Sequence, residues 1–151
     1  MKYSLSHLDD HILRRDLATV ASQHRGATTW LLAHIAEFDA RKLYAREAYS
    51  SMHLYCVREL GMSDDAAYAR IRVARKAREF PAIFPALADG RLNQTAVVLL
   101  TPHLTSETAT DLLEAAAHKT SAEIRLLLAE RFPQPDMPTL VQAVVAPVAD
   151  I

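Results

Sequence analysis

Five cations, Arg70, Arg72, Arg75, Lys76 and Arg78, crowd into one short part of the stretch Ser51–Phe80, SMHLYCVRELGMSDDAAYARIRVARKAREF. Guanidinium and ammonium groups at helical spacing suit phosphate oxygens and base edges, so the chemistry they offer is nucleic-acid recognition. On a helical wheel Tyr68, Arg72, Arg75, Lys76 and Glu79 share one side, while Ala67, Ile71 and Ala74 share another. The apolar side must pack against the segment holding Leu54, Val57 and Leu60. Arg70 and Arg78 flank it, within reach of backbone phosphates or of carboxylates. The candidate DNA contacts are therefore Tyr68, Arg70, Arg72, Arg75, Lys76 and Arg78, and the plain alternative is a solvated charged face. The first turn of a recognition helix makes most base contacts, and here it holds Asp64 and Asp65, which phosphates repel. Any binding is expected to be backbone-dominated, modest and salt-sensitive.

Other reactive side chains do not assemble into a site. His7 and His11 stand four apart, a spacing that can chelate a metal, but no third ligand is near in sequence. His53, His103 and His118 lack neighbours that would complete a triad. Glu37, Asp39 and Glu47 are interleaved with Arg41, Lys42 and Arg46, as on a salt-bridged surface. Three glycines cannot build a phosphate-cradling loop. Cys56, the only cysteine, reads as a small buried hydrophobe in a reducing cytoplasm. The expectation for this chain is no catalytic residue, no metal, no cofactor and no small-molecule substrate.

The elements that must position the cations are helices. Ser50 or Ser51 caps a helix ending at Leu60, and Gly61 sits where a left-handed C-cap residue is wanted. Ser63 caps the basic helix, which Phe80-Pro81 stops. A short helix over 83–88 and the turn Asp89-Gly90 follow. Asn93 caps a helix to Leu100, Thr105 or Ser106 opens another to about His118, and Thr120-Ser121-Ala122-Glu123 is a capping box starting the last, to about Phe132. Pro133, Pro135 and Pro138 mark a linker, and the tail TLVQAVVAPVADI reads as a strand, a docked peptide or the stub of a longer protein.

The N-terminal region is one strong helical pattern from Leu5 to about Tyr44, with Ser6 as its N-cap. Leu13, Leu17, Val20, His24, Ala27, Leu31, His34 and Phe38 repeat at 4-3 spacing, with Ile35 beside them, which marks a continuous seam. Such a helix spans about 54 Å at about 1.5 Å per residue, against a radius of gyration of about 15 Å for a compact chain of this size. Either Gly26 breaks it into a hairpin, or it overhangs and pairs with another chain. The long helix and a homodimer are the expectation, with Leu17, His24, Leu31, Ile35 and Phe38 at the dimer surface. His24 and His34 on the seam make pairing sensitive to pH, and Trp30 belongs to core or interface.

Composition agrees with a helical protein of 151 residues, half of them hydrophobic, with a net charge of −1. That charge excludes a generally basic nucleic-acid coat and leaves room for one basic face. No run approaches the ~18 apolar residues of a membrane span, so the expectation is a cytoplasmic chain with no membrane partner. The fold class is all-α, divided as 1–48 (long amphipathic helix), 49–132 (helix-turn-helix-containing bundle) and 133–151 (proline-rich linker and tail).

Two resemblances converge on these residues. Gly61-Met62-Ser63, the basic helix, Phe80-Pro81 and Leu87-Ala88-Asp89-Gly90-Arg91-Leu92 resemble the helix-turn-helix region of ParB and KorB partition proteins, over roughly residues 51–131. The segments LSHLDDHILRRDLATV, LLAHIAEFDARKLYAREAYSSMHLYCVRELGMSDDAAYARIRVARKAREFP and LADGRLNQTAVVLLTPHLT resemble the N-terminal helical region of bacterial HNH endonuclease proteins, over about residues 4–132. That resemblance implies a C-terminal nuclease module with a histidine general base and a divalent metal, joined through a proline-bearing linker. The family's catalytic residues have no counterparts in this chain, so the implied role is a double-stranded-DNA-binding module positioning a nuclease that lies outside it. The alternatives are a protein-interaction module and a standalone regulator of transcription or partition.

Overall fold

The long seam folds as one helix. The computed structural model describes residues 2–134, and of the expected linker and tail 133–151 all but the first two residues lie outside them. Helix α1 runs Asp10–Ala40 without a break, and nothing crowds Gly26. Its N-cap is Asp9 rather than Ser6, which lies in the turns before the helix. At 31 residues it is about 46 Å long. It stops short of Tyr44 because Lys42 adopts a left-handed conformation at φ 54°, which costs about 1–2 kcal/mol for a side chain with a Cβ. A single turn follows, α2 (Leu43–Arg46), and Ala48 reverses the chain again at φ 67°. This double reversal brings Tyr44 and Tyr55 to the edge of the core.

Ser51 caps α3 (Met52–Leu54), its Oγ accepting from the Leu54 amide at 3.1 Å. The helix then widens into a π turn, Tyr55–Glu59. Helix α4 (Asp64–Glu79) begins at the expected Ser63, whose Oγ accepts from the Ala66 amide at 3.1 Å. Helices α5 (Ile83–Ala88) and α6 (Gln94–Leu100) lie where the pattern put them, the second capped by Asn93. Helix α7 (Ala109–Ala116) starts a turn late because the Thr105 and Thr108 hydroxyls each accept the other residue's amide first. It ends before left-handed His118, whose amide bonds to the Arg91 carbonyl at 2.8 Å. The Thr120–Glu123 capping box is formed and opens α8 (Ser121–Arg131). No strand occurs among the described residues, and the fold is all-α.

The C-terminal half of α1 packs on α4 and α5, α4 on α6, and α6 on α8. Leu32, Cys56, Val73, Val97, Leu100, Leu112 and Ile124 are fully enclosed. Helix α4 meets its neighbours through Ala67, Ala74 and Ala77, side chains small enough to let helix axes approach closely. No polar side chain is buried among the described residues, so hydrophobic burial supplies the cohesion.

Gly61 and Gly26 make a matched test of these backbone assignments. Gly61 has φ +72°, and a methyl group added to its Cα would meet only open space, so Gly61→Ala is expected to destabilise by about 1 kcal/mol through backbone strain alone. Gly26 is equally open but helical, so Gly26→Ala is expected to stabilise by about 0.5–1 kcal/mol. Denaturant midpoints that shift the same way in both variants would contradict the assignment.

Candidate nucleic-acid interface

The sequence Glu59–Leu60–Gly61–Met62–Ser63 must turn the chain sharply between two helices. The left-handed Gly61 does so, and the Met62 amide closes the turn on the Cys56 carbonyl at 3.1 Å. Helix α4 then buries Ala67, Ile71, Val73, Ala74 and Ala77 and turns the opposite arc outward. Tyr68 stands exposed there, with the Arg72 guanidinium 5.4 Å over its ring. Between α3 and α4 a shallow groove of about 230 Å³ is lined by Met52, His53, Tyr68, Ile71, Arg72 and Arg75.

The six expected contact residues are not equally free. Arg75 donates from Nε and Nη2 to both carboxylate oxygens of Asp39, at 2.8 and 3.0 Å. This bond, more than any other influence, holds the guanidinium more firmly protonated than usual. Arg78 donates to Glu37, which also accepts from Arg41 at 2.8 Å. Those two guanidinium groups keep the Glu37 carboxyl below the ordinary carboxylate range, Arg78 contributing most. Lys76 reaches Glu79 at 3.2 Å and lies over the Phe80 ring. Arg70 sits half-buried on the flank of the apolar arc, with no ion pair among the described residues. Of the six, Tyr68 is exposed, and Arg72, partly covered like Arg70, has no carboxylate partner among the described residues.

Sequence reasoning missed the partners that come from far along the chain. The salt-bridged surface expected around Glu37 does include Arg41, but Glu37 and Asp39 also bridge α1 to α4. The Asp64 carboxylate, at the start of α4, meets His53 Nε2 at 3.0 Å. His53 therefore has a partner that local spacing could not reveal. The outer arc comes close to charge balance, with Arg72, Arg75 and Lys76 set against Asp64, Asp65, Glu79 and the incoming Asp39.

The expected dimer surface divides. Ile35 is only 3 % exposed and belongs to the chain's own core, because the seam's C-terminal half turns it toward α4 and α5. Leu31 and Phe38 pack partly against that core, and Phe38 lies 4.6 Å from Tyr55, centroid to centroid. Leu17 is 67 % exposed, and His24 and His34 are exposed rather than enclosed in the seam. Trp30 is not in the core: it is 69 % exposed.

His7 precedes α1, so the shared-helix spacing with His11 does not apply. Among the described residues no three metal-ligating side chains gather. Burial pushes the Cys56 thiol above its ordinary value, Asp39 adding to this and Arg70 opposing it. That thiol is packing material rather than a nucleophile. None of the described helices is long and apolar enough to cross a membrane. Comparison of the chain with protein-family models, curated proteins and solved structures finds no match.

Proposed function

We propose that this chain is a helix-turn-helix module that binds double-stranded DNA and positions an HNH-type nuclease in the cytoplasm, the nuclease and its divalent metal lying outside this sequence. The observation that carries the reading is the α3–turn–α4 unit, with its left-handed Gly61, its Ser63 cap and an outer arc of Tyr68, Arg72, Arg75 and Lys76. The likeness of residues 4–132 to HNH endonuclease proteins supplies the nuclease half of the proposal.

The ion pairs on this arc are compatible with it. The Lys76–Glu79 pair is partly covered, with Lys76 22 % and Glu79 58 % exposed, and such single pairs contribute about 1 kcal/mol, so a phosphate can compete with Glu79 for Lys76. Near charge balance and the acidic first turn predict modest affinity, resting on the backbone rather than on base edges. Arg72 and Lys76 hold none of the inter-helix bridges, so α1 stays tied to α4 when they are changed; Lys76 does cover the Phe80 ring, and denaturation of the variant is measured beside its binding. The Arg72→Ala/Lys76→Ala double variant is expected to weaken binding of a labelled duplex several-fold at about 50 mM salt, and to lower the slope of log K against log salt by about two. Fluorescence anisotropy over a salt series reads both. Undetectable binding by the unmodified chain at low salt, or an unchanged slope in the variant, refutes the proposal.

A second reading, a protein-interaction module, is favoured by one specific observation: the exposed apolar residues Leu17 and Val20 on the overhanging part of α1.

A further inference from the structure

Large exposed apolar side chains are not scattered over this protein. Six of the nine among the described residues, Tyr3, Leu5, Leu13, Leu17, Val20 and Trp30, fall in the first 30 positions. Only the C-terminal half of α1 contributes side chains to the core, namely Leu32, Ile35 and Ala36. The first half projects past the bundle as an arm of about four turns. An isolated helix that short is marginal in water even with good helix formers, and α1 there carries Thr19, Val20 and Ser22, which are not good ones. An arm of this length and apolar content calls for a partner.

We infer that the arm of α1 pairs antiparallel with the same arm of a second copy of this chain, giving a two-fold symmetric dimer. The 4-3 spacing makes the stripe self-complementary. With Leu17 set opposite the partner's Val20, symmetry places Val20 opposite Leu17 and Leu13 opposite the partner's His24, and brings Asp10 opposite Ala27. The acidic start of each arm, Asp9 and Asp10, then falls one turn along from the His24–Arg25 stretch of the other, and the helix dipoles oppose. A parallel pair would instead stack Asp10 on Asp10 and His24 on His24 in the seam, with both bundles crowded at one end.

The same register carries each chain's N-terminal Leu5 toward the partner's Trp30. A specific interface needs about 1,000 Å² in total, or about 500 Å² from each chain. The aromatic ring of Trp30 can bury on the order of 150 Å² of that, and the remainder has to come from the apolar stripe with the N-terminal turn. In this arrangement the bundles lie at opposite ends of the paired arms, and both α4 faces stay open. The inference does not rest on DNA binding and would survive its failure.

Light scattering after size exclusion is expected to give twice the 16.8 kDa chain mass for the unmodified protein, and a single-chain mass for Leu17→Asp with its helical content retained. Orientation is read by disulfide trapping, which the enclosed and unreactive Cys56 leaves free of background. An oxidised mixture of the Leu13→Cys and His24→Cys variants is expected to form a covalent dimer, and each variant alone much less. A single-chain mass for the unmodified protein overturns the inference and assigns the stripe to a different macromolecule. A dimer indifferent to Leu17→Asp also overturns it, as does efficient self-trapping of Leu13→Cys.

Discussion

Replacing Leu32 by alanine is expected to lower the free energy of unfolding by about 2–5 kcal/mol, the range for a leucine whose removal leaves a cavity in a packed core. Leu32 is fully enclosed on the half of α1 that packs against α4 and α5. Most small domains have only about 5–15 kcal/mol to lose, so the variant should melt markedly earlier in denaturant with an unchanged slope. Leu17, four turns earlier on the same helix, is the control. It touches no core, so Leu17→Ala should change the stability of the isolated chain by less than about 0.5 kcal/mol. A loss under about 1 kcal/mol for Leu32→Ala would mean that α1 is not docked on the bundle as described.

This contrast between two leucines of one helix shows where sequence reasoning stops. Leu17 lies on the 4-3 seam and Leu32 one position past its Leu31, yet Leu32 is the enclosed one, because a 4-3 repeat says that a helix has an apolar seam without saying what covers each part of it. Features set within a few residues were legible. Ser51, Ser63, Asn93 and the Thr120–Glu123 box all cap the helices they precede, because the bonding partner of a cap lies only two or three residues away. Gly61 was legible for the same reason. Ends decided by less obvious local chemistry were not: Lys42 and His118 take left-handed conformations that carry no glycine to announce them, and the Thr105–Thr108 hydroxyl exchange delays α7 by a turn. The π turn at Tyr55–Glu59 has no periodic signature in so short a segment. The candidate face was legible as a face, through Tyr68, Arg72, Arg75 and Lys76 on one arc. Its electrostatics were not, because Asp39 and Glu37 arrive from a helix more than thirty residues away.

The pair that escaped the sequence is also the sharpest handle on the proposed function. Asp39 is largely covered, its side chain 13 % exposed, whereas Arg75 is 60 % exposed. Asn at position 39 keeps the shape and one acceptor oxygen but removes the negative charge and one arm of the bidentate bond. Stability is expected to fall by about 1 kcal/mol, kept small because Arg75 can recover its hydration. DNA affinity is expected to move the other way. The outer arc of α4 loses one negative charge and comes to neutrality, and Arg75 is released to swing toward a phosphate. Affinity at low salt should rise about tenfold, with the slope of log K against log salt steeper by about one. Adding Arg75→Ala to Asp39→Asn should abolish most of that gain while leaving fold stability close to that of Asp39→Asn alone, since the charge attraction is already gone and only one bond to a neutral acceptor is left to lose. A merely solvated arc predicts something different: the same small loss of stability with no change in the salt slope. Because the two measurements move in opposite directions only when α4 meets DNA, denaturation and anisotropy on this one variant separate a working nucleic-acid face from an ordinary charged surface.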